Sequence, residues 1–124
     1  MVARIVNSAL LVCAGAIFGF IGTVAHQSSA TLAGIAVPWG LIVALVGSGC
    51  LLAGIRLVTT GRIPTLMVAL GLLVAITVLS FKSAGGSVLI PDNIAGKIWV
   101  IAPVVIAAIA IAWPRVVRAD RRVN

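Results

Sequence analysis

The sequence predicts an all-α polytopic membrane protein, with four transmembrane helices in an antiparallel bundle and both termini in the cytoplasm. Three observations carry this. Of 124 residues, 62% are apolar and only 9% are charged, a composition far from that of a soluble domain. The apolar residues gather into four runs, each long enough to cross a hydrocarbon layer of about 30 Å. Finally, Arg4, Arg56, Arg62, Arg115, Arg118, Arg121 and Arg122 fall on one side of those runs, and only Lys82 and Lys97 on the other. Positively charged loops stay in the cytoplasm, so the arginine-rich side, with both termini, faces inward. The whole of 1–124 reads as one four-helix domain.

The first span is expected over 5–25, 21 residues that would reach roughly 31 Å as a helix. Ser28, Ser29 and Ala30 resemble a signal-peptidase site, but the apolar run is longer than a signal core, so an uncleaved span is expected. Gly15, Gly19 and Gly22 lie on one face of it, a surface with no side chains to hold a second helix away. His26 follows one turn later, at the mouth of that face.

The second span is expected over 38–58. Pro38 suits a first helical turn, where its missing N–H is not needed. Gly40, Ala44, Gly47 and Gly54 repeat the small-residue spacing of the first span, which makes the second span its natural partner. The turn at 59–62 is short enough to force a hairpin into the third span, expected over 64–81, where Pro64 again suits a first turn. That span has one glycine, Gly71, and is expected to offer bulk more than close approach.

The loop 82–96 contains Asp92 and Asn93, both candidates to cap the fourth helix, expected over 94–113. Pro103 inside that span predicts a kink. Trp39 and Trp99 are expected at the outer headgroup level and Trp113 at the inner one. The basic tail 114–124 is expected to lie along the membrane, with Arg115, Arg118, Arg121 and Arg122 meeting anionic lipid headgroups.

Candidate chemistry is sparse. The chain has no Glu and no Tyr, and its two acids, Asp92 and Asp120, lie in the outer loop and the tail, so no acid–base pair forms within a span. His26 is the single histidine. It reads either as a polar residue closing the end of a span or as a contact for a partner. Cys13 and Cys50 read as small packing residues, without a disulfide. No catalytic residue, metal site or cofactor is expected. The net charge of +7 punctuates apolar segments and does not form a basic soluble surface, so nucleic acid is excluded.

The pattern of Gly15, Gly19, Gly22 and His26, then Pro38-Trp39-Gly40, Gly54-Ile55-Arg56 and Trp99 to Pro103, resembles the small uncharacterised four-helix integral membrane proteins of actinobacteria. The resemblance covers most of the chain and rests on architecture. It implies a cell-envelope setting, here the bacterial plasma membrane, and carries over no functional residue. Small multidrug transporters are similar in size but depend on a glutamate in the first span, which this chain lacks.

A close-packing surface without an active centre predicts a non-enzymatic accessory or assembly subunit of a larger inner-membrane complex, with other membrane-protein subunits as partners. The alternative is a small self-assembling transporter or channel for a lipid-like or neutral substrate. Its polar lining would have to come from scattered hydroxyls such as Thr23 and Ser48.

Overall fold

A computed structural model describes residues 1–81 and 85–114. Lys82 and the tail arginines Arg115, Arg118, Arg121 and Arg122 lie outside the described residues. Four helices, α1 (Val2–Ala25), α2 (Trp39–Val58), α3 (Ile63–Ser80) and α4 (Ile94–Ala112), are each long and apolar enough to cross a membrane. The chain is therefore a multi-pass membrane protein. Its large apolar side chains face outward along all four helices, with Val2, Leu57 and Ile94 more than 70% exposed. Such a surface is incompatible with water and matches lipid.

The helix ends follow local chemistry. Asn93 caps α4, its side-chain oxygen accepting from the Gly96 N–H at 2.8 Å. At the other end Trp113 precedes Pro114 and turns to an extended ψ of 122°, which ends the helix. Pro64 occupies the first turn of α3. Pro38 stands just outside α2, as its N-cap residue. The α1–α2 connection holds an element not anticipated from sequence, an antiparallel hairpin of β1 (Ala30–Leu32) and β2 (Ile35–Val37). Its two-residue turn has Ala33 at φ 52° and Gly34 at φ 81°. Two positive φ values match the twist of a tight hairpin.

The main partner of α1 is α3, with α2 a lesser one. A Cβ at Gly15 would collide with the Val68 carbonyl, and one at Gly19 would lie 2.6 Å from the Leu72 carbonyl oxygen and 2.9 Å from Ala75 Cβ. Gly71 answers from α3, abutting the Val12 carbonyl and the Ala16 amide. The third span thus supplies close approach as well as bulk. Where a Cβ would collide with a carbonyl, the glycine hydrogen points at that oxygen, so the interface is lined by Cα–H···O contacts. The pairs advance together along both chains, so α1 and α3 run in the same direction.

On α2 the small residues are used unequally. Gly40 abuts the Ala25 carbonyl at the end of α1, and Ala44 is buried in the core with Leu41, Leu52, Val68, Leu72 and Trp99. Further along, the nearest atom to a Cβ at Gly47 would be Phe18 at 3.9 Å, and Gly54 has nothing within 4 Å. Helices α1 and α2 meet at the His26 end and separate toward the Arg56 end. Cys13 and Cys50 are free and exposed, so neither packs in an interhelical contact as expected.

Candidate functional site

The polar side chains that the fold brings together lie where α1 ends and α4 begins. Gly22 lacks a side chain where the edge of the Trp99 ring meets α1: a Cβ there would come within 2.5 Å of Trp99 Cζ2. Trp99, expected at the headgroup boundary, is instead fully buried. Burial demands a partner for the indole N–H, and Thr23 Oγ1 accepts it at 3.0 Å. The Thr23 hydroxyl in turn donates to the Gly19 carbonyl at 2.7 Å. Pro103, four residues beyond Trp99 and also fully buried, has no N–H for the Trp99 carbonyl, yet α4 continues through it as one helix.

His26 completes the cluster. It is the C-cap residue of α1, its own N–H bonded to the Gly22 carbonyl at 2.8 Å. The imidazole is 1% exposed and stacks on Trp99 with ring centroids 5.8 Å apart and planes 12° from parallel. Nδ1 lies 2.5 Å from the Thr23 carbonyl oxygen. A carbonyl only accepts, which assigns a proton to Nδ1, and in the neutral ring Nε2 then carries the lone pair. Nε2 is buried without a partner.

Beside the cluster is a cavity of about 270 Å³ bounded by His26, Gln27, Ser29, Pro38, Pro91 and Asn93. The Gln27 amide donates to the Leu89 carbonyl and ties the α3–α4 loop across it. Asp92, the nearest acid in sequence to this cluster, is 90% exposed and pairs with Lys97 at 3.3 Å. Among the described residues no group of three or more His, Cys, Asp or Glu side chains is placed to hold a metal. The arrangement can accept a hydrogen bond at His26; it holds no nucleophile–base pair.

At the other end, sequence reasoning read Arg56 as a flank of the α2–α3 turn and missed its structural part. Arg56 is 8% exposed and donates from Nη1 to the Gly61 carbonyl and from Nη2 to the Trp113 carbonyl, both at 2.9 Å. It fastens the end of α4 to the turn after α2. The signal was present: an arginine inside the last turn of an apolar span has helix-end carbonyls within its reach.

Of the other hydroxyls within the spans, Thr65 Oγ1 is buried without a partner, while three are spent locally. Ser48 donates to the Ala44 carbonyl, Thr77 to Leu73 and Ser80 to Ile76, each four residues back. Compared with known proteins, the chain matches no family model, no curated protein and no solved structure.

Proposed function

We propose that this chain is a non-enzymatic accessory or assembly subunit of a larger bacterial inner-membrane complex, its four helices an antiparallel bundle with both termini cytoplasmic. The supporting observation is the unfilled side of α2. Gly47 and Gly54 are seven residues apart, hence on one face, and among the described residues no atom lies within 4 Å of a Cβ at Gly54. In lipid, small residues bring helices together because backbones approach closely there. The glycines of α1 are already consumed by α3 and Trp99, so the surface left for another subunit is on α2. His26 is 1% exposed with its Nε2 buried, so a partner's donor would reach it only through the cavity bounded by His26 and Gln27.

The transporter reading draws less support, because Thr23, Ser48, Thr77 and Ser80 all donate to carbonyls of their own helices. Hydroxyls so engaged form no continuous polar track.

The test is the native mass of the tagged protein extracted in mild detergent, with identification of whatever comigrates. Wild type is expected in a large defined assembly. Gly54→Leu, whose Cβ finds no described atom within 4 Å, should leave the protein inserted and lower recovery of the assembly by about tenfold, as the loss of one close helix contact worth about 1.4 kcal/mol would. A wild-type particle of one chain, or undiminished recovery of the variant, would sink the proposal.

A further inference from the structure

A groove runs between α2 and α4. It encloses about 470 Å³ and is lined by Gly49, Ala53, Ile106, Ile109 and Ala110, with Arg56 and Trp113 at its end. Gly49 and Ala53 leave it open because neither extends a side chain toward α4; a Cβ at Gly49 would find only Ile106, at 3.8 Å. From Gly49 to Arg56 the groove follows α2 for about 10 Å. Its walls are almost wholly apolar until Arg56.

That arginine is incompletely satisfied. Two of its N–H groups reach carbonyls, its Nε is buried without a partner, and no carboxylate pairs with it among the described residues. A buried cation at the end of an apolar groove requires an anion. Arg56 belongs to the last turn of a span, with the exposed Trp113 beside it, which is the depth of lipid headgroups. Among the described residues no anion lies at that depth, and the bilayer supplies one there as a phosphate attached to an acyl chain.

We propose that the α2–α4 groove binds one molecule of an anionic phospholipid, its acyl chain along Gly49, Ala53 and Ile106 and its phosphate at the Arg56 guanidinium. A partner helix is the weaker occupant, since it would have to bring its own carboxylate to Arg56. The lipid acts as a wedge that holds α4 against α2 where the helices leave space.

Native mass spectrometry of the purified chain, with dioleoyl phosphatidylglycerol or dioleoyl phosphatidylcholine added at equal concentration, tests this. Retention of the glycerol lipid is expected to exceed that of the choline lipid about fivefold, the effect of one arginine near a headgroup. Arg56→Gln should abolish the preference, and Arg62→Gln, an exposed neighbour, should leave it intact. Ala53→Phe and Ala110→Phe should fill the groove and reduce binding of both lipids while Arg56 is retained, so the proposal stays testable even where Arg56→Gln does not fold. Equal retention of the two lipids by wild type would overturn the assignment. So would a preference that survives Arg56→Gln, which would place the anion site elsewhere, or a dimer that Ala53→Phe dissolves, which would make the groove a helix interface.

Discussion

At the scale of single residues, the fold depends on a few buried polar atoms and the partners they find. Thr23 is the hinge of the buried cluster: its hydroxyl receives Trp99 and its carbonyl receives His26. Thr23→Val keeps the shape and removes the acceptor, leaving the indole N–H buried and unpaired, which should cost about 1–3 kcal/mol; Thr23→Ser should restore most of it. Reversible unfolding in mixed micelles reads both, and equal stability of the Val and Ser variants would deny the hydrogen bond any weight. His26→Phe separates fold from function. It keeps the stack on Trp99 and removes a buried lone pair that has no partner, against loss of one bond to the Thr23 carbonyl, so stability should change by less than about 1 kcal/mol. If His26 contacts a partner, the same variant should lose complex recovery despite its intact fold.

At the scale of elements, the four helices were legible in the sequence because hydropathy fixes a span by length and composition alone; α2, α3 and α4 begin and end within one residue of their expected bounds. The pairing was not legible. Small residues at helical spacing reveal that a face is open, but not which helix fills it, and counting glycines favoured α2 over α3. One glycine at the right level, Gly71, was enough, with Ala75 beside Gly19. The hairpin escaped notice because Ala33 occupies a left-handed position that asparagine or glycine usually marks. Trp99 was misplaced because an aromatic ring suits both a headgroup boundary and a core; Gly22, which admits it, reads from sequence only as part of a glycine face. These differences predict opposite signs for one kind of substitution. Gly71→Ala drives a methyl into the Val12 carbonyl and should destabilise by about 2–3 kcal/mol, whereas Gly54→Ala enters open space and should stabilise by roughly 0.5–1 kcal/mol through helix propensity. Unfolding of the two variants side by side checks the α1–α3 contact directly; a shared sign would contradict it. Ala33→Gly should likewise stabilise the hairpin by about 1 kcal/mol, seen as slower amide exchange in residues 30–37.

At the scale of the whole molecule, the two ends differ in kind. The His26 end is closed by neutral hydrogen bonds, aromatic stacking, a hairpin and the Gln27 tie to Leu89, while the Arg56 end is held by a guanidinium bridging the α2–α3 turn to the end of α4. Arg4, Arg56 and Arg62 all lie toward this second end, where α4 also finishes. A chain inserted with that end in the cytoplasm keeps its arginines on the side of anionic lipid and avoids carrying them across the bilayer. The ends can be told apart chemically. In a background with Cys13 and Cys50 replaced by serine, Leu32→Cys places a thiol on the exposed hairpin and Thr60→Cys places one on the exposed turn beside Arg62. A membrane-impermeant maleimide applied to intact cells should label the hairpin cysteine and leave the turn cysteine unlabelled until the membrane is opened. The reverse order would put the arginine-rich end outside, and with it the anionic phospholipid assigned to the α2–α4 groove would have to come from the outer leaflet.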